Sequence, residues 1–283
     1  MAKLMAMRQR IKTIKTIKKI THAMRLISMS THSRLKHKEE PLTYYCNSIE
    51  HLFFKIKQSF PGWHNPIIMP RKSHKHKDLI ILIGSQKGLC GTFNSLLFKS
   101  FESILSNYDR KHIQLIAVGK RAADYLKAGN FTPVIATYDK FTTVTFTAIL
   151  EKITNTILKA DPTFHSVTVV SNVLKTFFLQ KPKATSIIPL TKNIHNESQE
   201  LPEEYTWEQP PQELLDMLTN LFIQSTLEHL LFQSLLAEQA SRFLSMDSAT
   251  HNAESLLEKA ELTYNKLRQA KITKELTELA GSY

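Results

Sequence analysis

The residues best suited to chemistry form a glycine-bearing loop in the middle of the chain, GSQKGLCG at positions 84–91. Glycine-rich loops between a strand and a helix bind phosphate through backbone N–H groups, and Lys87 would add a positive charge. The spacing fits neither the Walker A loop nor the G-x-G-x-x-G dinucleotide fingerprint, and no acidic residue is placed to bind metal or ribose. The alternative is a tight turn that needs positive φ. We favour that turn, with structural roles for Gly88 and Gly91.

Two other sets of residues are weaker candidates. His74 and His76 lie in a basic run, residues 71–77, but no Cys or carboxylate pair accompanies them, so a solvated linker is the better interpretation. Cys46 and Cys90 are too few for a disulfide framework or a four-ligand zinc site, and they indicate a reducing compartment. Neither a Ser-His-Asp nor a Cys-His arrangement has a local signature. The sequence therefore predicts no catalytic centre, no metal and no cofactor.

The elements around the loop alternate between strands and helices. Six apolar runs, the first three each followed by a helical stretch, lie at residues 79–84, 113–119, 134–138, 167–173, 175–180 and 185–190. This order predicts βαβ units and a mostly parallel sheet whose last strands form a hairpin. The chain has only 7 glycines in 283 residues, and five of them lie between positions 84 and 129. That distribution excludes an all-β sandwich and indicates long helices on either side of the centre.

Both ends of the chain have the pattern of long helices. Apolar residues recur every three or four positions from Leu4 to Ile27, which predicts a helix to about residue 57, kinked at Pro41. Residues 212–280 contain neither Pro nor Gly. A heptad seam is predicted in their second half, at Met246, Ala249, Ala253, Leu256, Ala260, Thr263, Leu267, Ala270 and Lys274. The two helices would pair antiparallel as a rod; the alternative is several shorter helices in a bundle. The predicted domains are 1–60, 75–192 and 208–283.

The positive charge is concentrated at the amino end. Residues 1–40 contain 11 Lys and Arg against two Glu, which is +9 of the total +12. A segment with this charge is expected to bind nucleic acid, an anionic membrane or an acidic protein. Its basic residues are interleaved with the apolar stripe, unlike a bZIP basic region, and residues 1–43 hold no aromatic side chain for base stacking. The other alternative is a transit peptide. However, the helical pattern continues beyond the usual length of a transit peptide, and no small-residue cleavage site interrupts it.

The chain resembles the γ subunit of F-type ATP synthase over nearly its whole length, and four motifs carry the resemblance. Residues 8–30, RQRIKTIKTIKKITHAMRLISMS, are similar to the family's basic first helix. Residues 85–94, SQKGLCGTFN, resemble its S-D-R-G-L-C-G-G-F-N turn, with Gln86, Lys87 and Thr92 as departures. In the last helix, SRFLSMDSATHNAESL (241–256) and LTYNKLRQAKITKELTEL (262–279) resemble the family's final helix. Four separated motifs occur in the order that the family has.

This resemblance implies an architecture and a set of partners. The architecture is an antiparallel coiled coil of the terminal helices with a central Rossmann-like α/β domain. The implied fold class is α/β plus long α-helices. The chain would be a non-catalytic rotor that couples the membrane c ring to the β sites, with three α, three β and ε as further partners and no nucleic acid. Contacts to the αβ ring are expected at Arg8, Ile11, Lys12, Lys18, Met24, Arg242, Arg268, Gln269 and Thr273. Contacts to the c ring or ε are expected at Tyr205, Trp207 and Glu208.

The same resemblance bears on location and regulation. No transit peptide fits before Arg8, so we expect a peripheral protein on the cytoplasmic side of a bacterial plasma membrane. The two cysteines, without an insertion at residues 190–211, predict no thiol switch like that of the plastid family members. Two other classes remain, a coiled-coil adaptor or nucleic-acid-binding protein with the same rod, and a nucleotide-dependent enzyme that uses the central domain.

Overall fold

The computed structural model describes residues 2–60, 62–70, 77–108, 112–160, 163–190 and 210–280. The chain divides into two compact units. One unit comprises Met1–Thr31 and Arg242–Tyr283, and the other comprises His32–Ser241. The first unit is formed by the two ends of the sequence, and the second is the continuous segment between them. Both long terminal helices contribute a segment to each unit.

A mixed five-stranded sheet forms the centre of the second unit. Its strands are β1 (Asp78–Ile83), β2 (Ile113–Val118), β3 (Val134–Tyr138), β4 (Ser166–Thr176) and β5 (Leu179–Ile188). They lie in the order β3-β2-β1-β4-β5, with β5 alone antiparallel to its neighbour. The mostly parallel sheet predicted from the alternating pattern is therefore confirmed.

Helices cover both faces of this sheet. The short helices are α2 (Phe93–Leu105), α3 (Lys120–Ala128) and α4 (Phe146–Leu158). Residues at alternate positions of β1 enter two different cores: Leu79 and Ile81 pack with α4 and the terminal helices, whereas Ile80 packs with α2 and α3. Burial on both faces explains why β1 is a continuous apolar run rather than an alternating one.

The two terminal helices are long and continuous. Helix α1 spans Ala2–Ser59, and α5 spans Pro211–Ala280. Pro41 lies inside α1 on an exposed surface, and the helix continues through it. The carboxyl-terminal part of α1 buries Phe53 and Ile56 in the core beneath the sheet, together with Phe222 of α5. The long helices predicted from the scarcity of Pro and Gly are confirmed, and α5 is one helix rather than several.

The hairpin differs from its prediction at one point. The sequence predicts a separate strand over residues 175–180, but the chain reverses there, since Thr176 ends β4 and Leu179 begins β5. The prediction is wrong because Phe177 and Phe178 have high strand propensity and conceal the turn. Beyond Val170 the hairpin loses its pairing with β1, so its far end is two-stranded.

The first unit is an antiparallel pair of helical segments. Ion pairs join Lys15 to Glu261, Lys18 to Glu254 and Arg25 to Asp247, with N–O distances of 2.8, 3.1 and 2.6 Å. The partner number on α5 falls as the number on α1 rises, which fixes the antiparallel direction. The predicted pairing of the two terminal helices is therefore confirmed. The division into domains 1–60, 75–192 and 208–283 stays a prediction.

Candidate functional site: the glycine turn and the paired helices

The glycine loop is a tight turn between β1 and α2. Gly91 has φ of +54°, a left-handed conformation that glycine adopts readily. Leu89, whose side chain is exposed, also has a positive φ, 62°. At Gly88 a Cβ would lie 2.8 Å from Nη2 of Arg121, the far end of a flexible side chain that can move aside. The turn interpretation thus accounts for Gly91 through backbone conformation, whereas Gly88 has no comparable requirement for glycine.

The turn uses its donors internally. The Ser85 N–H donates to Oδ1 of Asn94 at 3.1 Å, and Nδ2 of Asn94 donates to Oγ of Ser85 at 2.8 Å. The same Nδ2 lies 3.2 Å from Sγ of Cys90. Phosphate-binding loops keep such backbone N–H groups open toward their ligand. Because the Ser85 N–H already donates to Asn94, it is not available to bind a phosphate.

The turn is attached to α5. The Gln86 N–H donates to Oε2 of Glu238 at 3.1 Å, and Oγ of Ser241 donates to the Cys90 carbonyl oxygen at 2.9 Å. Cys90 and Phe93 form a small buried cluster with Ala237. Glu238 is 3% exposed, and a carboxylate in that position would repel a phosphate. The arrangement therefore fixes the α/β domain to the helix and disfavours nucleotide binding.

Sequence reasoning missed the residues on the helix side of this attachment. Glu238 and Ser241 lie in a mostly apolar segment of the helix, LLAEQASRFL over 235–244. A carboxylate inside such a run is a signal that it has a buried partner, since buried charges are seldom unpaired. The sequence alone does not identify that partner, because the turn lies about 150 residues away along the chain.

We expect Glu238→Ala to loosen the turn from α5. The Gln86 N–H would lose its acceptor in a partly buried site, which should lower the free energy of unfolding by about 2 kcal/mol. Urea denaturation of the full chain measures this change. Glu258→Ala, at an exposed position of the same helix, is the matched control and should change stability little. Equal stability of the two variants would contradict the role of Glu238.

No metal site or membrane span emerges from the described part of the chain. Within it, no three His, Cys, Asp or Glu side chains are grouped to hold an ion. None of its helices combines the length and the apolar character needed to cross a bilayer. His74 and His76 lie outside the described residues.

The seam between the paired helices differs from the predicted one on α5. Met246, Ala253 and Ala260 are buried as predicted, but Leu256 is half exposed. Leu257, one residue after the predicted Leu256, packs on the cluster of Ile14, Ala253 and Ala260. The predictions for Leu256, Thr263, Ala270 and Lys274, which are all exposed, are therefore wrong. The buried and partly buried positions that keep the alternating spacing are Met246, Thr250, Ala253, Leu257, Ala260, Tyr264 and Leu267.

On α1 the seam becomes polar after Ile14. Met7, Ile11 and Ile14 supply its apolar part. Thereafter the contacts are the Lys18 and Arg25 ion pairs and a hydrogen bond of 3.0 Å from Oγ1 of Thr250 to Oγ1 of Thr21. The Lys18 ammonium, through a hydrogen bond and its charge, lowers the pKa of Glu254. These helices are thus held by little apolar area and several charges.

An apolar stripe on α1 is left outside this seam. Ile17, Ile20 and Ile27 are 48%, 53% and 65% exposed. They are spaced by three and seven residues, so they share one face of the helix. Lys12, Lys19 and other exposed cations lie between and beside them. An exposed row of isoleucines on a basic helix is typical of a surface that another protein covers.

The structure places the predicted contact residues in different environments. Arg8, Lys12, Arg268, Gln269 and Thr273 are exposed. Ile11 and Met24 are partly buried, and Lys18 is ion-paired to Glu254. Arg242 is 5% exposed and offers little surface to another chain. Tyr205, Trp207 and Glu208 lie outside the described residues.

We expect a buried histidine on α1, His32, to make the stability of the second unit depend on pH. Burial lowers the pKa of His32, with the Lys36 charge acting in the same direction, against an opposing hydrogen bond to the Leu236 carbonyl oxygen. The unfolded chain therefore takes up this proton at a higher pH than the folded chain does. Stability should be constant above the ordinary histidine pKa of about 6.5 and fall below it, until the folded His32 is also protonated.

We expect this effect in the melting temperature. The Tm of the full chain should decrease as the pH falls from about 7.5 to 5, and His32→Gln should reduce the decrease. His51→Gln, at an exposed position of the same helix, controls for the removal of a histidine as such. An unchanged pH profile in the His32 variant would show that other groups cause the loss.

The known proteins that match this chain come from one family. The model of a family described as ATP synthase matches residues 3–283. The ATP synthase gamma chain of Clostridium novyi (strain NT) is 31% identical over 287 residues, 99% of this chain and 97% of the relative. The ATP synthase gamma chain of Chlorobium chlorochromatii (strain CaD3) is 28% identical, over 99% and 98% of the two chains.

A solved structure has the same fold at low identity. It is a chain of the rotor of the mitochondrial ATP synthase of Euglena gracilis, with a TM-score of 0.64 and 13% identity. The similarity covers 96% of this chain and 99% of that one. At this identity the likeness concerns the fold alone.

Proposed function

The chain belongs to the ATP synthase γ-chain family, and on that premise we propose that it is the central rotor of an F-type proton-translocating ATP synthase. It passes the rotation of the membrane c ring to the catalytic β subunits. The chain itself carries out no catalysis and binds no nucleotide. The occupied donors of the glycine turn and the buried Glu238 carboxylate support this non-catalytic role.

The observation that carries the proposal is the outward surface of the paired helices. That surface combines exposed isoleucines, such as Ile17 and Ile27, with lysines and arginines along α1. A helix pair of this kind fits a sleeve whose lining is apolar in one part and acidic in another. A ring of α and β subunits around the helices would supply that lining, with three copies of each.

Rotation changes the β subunits because the helix pair is asymmetric. The α1 segment between residues 3 and 31 is basic, whereas the α5 segment contributes Asp247, Glu254 and Glu261 to the ion pairs. At any angle the three β subunits therefore meet different side chains. A contact that is stronger with one β conformation shifts that subunit toward it, by as much as the difference in contact energy.

The residues proposed to contact the αβ ring rest on the family resemblance. They are Arg8, Ile11, Lys12, Lys18, Met24, Arg242, Arg268, Gln269 and Thr273. The exposure of Arg8, Lys12 and Arg268 supports them as contacts. Lys18 would share its charge between Glu254 and a partner, and Arg242 would have to be uncovered.

The central α/β domain acts as the foot of the rotor. It contacts the ε subunit and the c ring, with Tyr205, Trp207 and Glu208 proposed on the family resemblance as the segment over the ring. The turn that holds this domain on α5, through Glu238 and Ser241, allows torque to pass from the sheet to the helix. The chain would work at the cytoplasmic side of a bacterial plasma membrane, attached through the c ring.

The test is recovery of the assembly from native membranes. A tagged chain is purified after mild solubilisation, and subunit stoichiometry is measured by intact mass. We expect one copy of this chain with three α and three β, and ATP hydrolysis by the complex but not by the isolated chain. Recovery of the chain alone, or with nucleic acid only, would overturn the proposal.

A further inference from the structure

The far end of the β4–β5 hairpin carries an uncompensated positive charge. Residues 163–190 contain three lysines, Lys175, Lys181 and Lys183, and no aspartate or glutamate. All three lysine side chains are exposed. None of the ion pairs formed within the described parts of the chain involves them. The hairpin arm defined by residues 171–183 therefore carries three positive charges and no negative one.

An apolar group is exposed at the tip of the same arm. Phe178 is 76% exposed, and Leu179 beside it is also exposed. The neighbouring ring is anchored, since Phe177 packs edge-on against His32 of α1 at a centroid distance of 4.9 Å. Phe177 and Phe178 are themselves in edge contact. The tip is thus held in place on the helix while it presents one aromatic ring outward.

The edge strand of the arm is poorly suited to pairing with a further strand. Lysines and Pro182 occupy β5, which is the edge strand, and both discourage pairing with another sheet. That protection explains the lysines in part, but it does not explain an exposed phenylalanine. Lys181 and Lys183 are two residues apart on one strand face, a separation of about 7 Å. Carboxylates one helical turn apart have a similar separation, roughly 6 Å between Cβ atoms.

From this arm we infer a docking site for an acidic helix of a neighbouring subunit. Two carboxylates one turn apart on that helix pair with Lys181 and Lys183, and an apolar residue beside them packs on Phe178. The inference rests on the proposed function, because it takes the partner from the assembly in which the chain rotates. An anionic membrane surface would offer similar charge, but it would not select the spacing of two lysines.

The experiment begins with assembly of the unmodified chain. The full chain is co-expressed with the other subunits of its synthase, and the complex is isolated. Failure of this chain to assemble would overturn the proposed function, and the docking inference with it. Assembly permits the second step, in which a photoreactive p-benzoylphenylalanine replaces Phe178 and the cross-linked peptides are identified by mass spectrometry.

We expect a cross-link from position 178 to an acidic helical segment of another subunit. The same photoreactive residue in place of Val144, which is exposed elsewhere on the domain, is the control and should not yield that product. Cross-links only to lipid, only to this chain, or at the level of the control would overturn the docking site while the proposed function stands.

Charge reversal gives an independent readout. Lys181→Glu with Lys183→Glu should reduce the cross-link from position 178 at least fivefold, and Lys181→Gln with Lys183→Gln should reduce it less. Lys99→Glu with Lys152→Glu, at exposed positions of α2 and α4, is the matched control for net charge. An equal loss in the control pair would show that net charge rather than the arm is responsible.

Discussion

Replacement of Gly119 by alanine is expected to cause a large loss of stability in the α/β domain. Gly119 follows β2 with φ of +87°, and a Cβ there would lie 2.3 Å from the Gly84 carbonyl oxygen. Real Cβ atoms do not approach backbone that closely, so the ends of β1 and β2 would have to separate. The Gly84 N–H bond of 2.9 Å to the Val118 carbonyl oxygen lies at this point.

The expected magnitude follows from two costs that act together. With ψ of 144°, Gly119 lies close to a backbone region that is essentially restricted to glycine, where another residue costs about 1–3 kcal/mol. The backbone clash adds to this, so we expect a total loss of about 4 kcal/mol, which is exceptional for a single substitution. In a domain of this size the Tm would fall by roughly 10 °C. Thermal denaturation followed by circular dichroism measures the change.

The chain offers a matched control for this substitution. Gly62 has open space around the position of a Cβ, with no neighbouring atom within 4 Å. Gly62→Ala should therefore leave the Tm nearly unchanged. A Gly119→Ala variant as stable as Gly62→Ala would mean that the close approach of β1 and β2 is relieved at little cost.

Replacement of Ile14 by aspartate is expected to separate the paired helices. Ile14 is buried against Ala253 and Ala260 in the only apolar cluster that the described part of the first unit contains. The substitution loses the burial of the isoleucine, about 2–3 kcal/mol, and adds the cost of a desolvated carboxylate. The remaining contacts of this unit are largely exposed ion pairs, which are each worth about 0–1 kcal/mol.

Hydrogen exchange followed by mass spectrometry measures this separation locally. Amides of α1 before residue 31 should lose protection, while those of the sheet core, such as β1, should keep theirs. Ile17→Asp is the control, because Ile17 is 48% exposed and lies outside the seam. Protection of the Ile14 variant equal to that of the control would contradict the assignment of the seam.

The same control variant tests the rotor surface. Ile17→Asp should leave the chain folded, but it should weaken incorporation into the assembly, since Ile17 belongs to the stripe proposed to face the surrounding subunits. The yield of complex relative to the unmodified chain provides the readout. Normal incorporation of the Ile17 variant would remove that residue from the contact surface.

Much of the fold follows from local pattern. The alternation of apolar runs with helical stretches predicts the strands and short helices, because the period of the apolar residues reflects backbone geometry directly. The absence of Pro and Gly from residues 212–280 predicts α5 in the same way. The hairpin turn at Phe177 and Phe178 is the exception, since neither residue is a turn former and only the pairing of β4 with β5 locates it.

The candidate site was less accessible to such reasoning. The sequence alone singled out the glycine turn, the basic first helix and the heptad on the last helix. Glu238 and Ser241, which hydrogen-bond to the turn, could not be identified from the sequence because their partners lie about 150 residues away along the chain. Likewise, Ile17 and Ile27 belong to the predicted apolar stripe, yet the structure leaves them outside the seam.

The sequence by itself determined the period of each element and therefore the presence of two long helices around an α/β centre. Only the tertiary structure decided which face each helix presents to its partner. On α5, Leu256 and Leu257 lie about 100° apart around the helix axis. Either leucine fits a heptad pattern. The contacts that Ile14, Thr21 and Arg25 of α1 make with α5 determine which face of α5 is buried. A local pattern cannot contain that information, because the energy that selects the face arises in contacts between segments more than 200 residues apart.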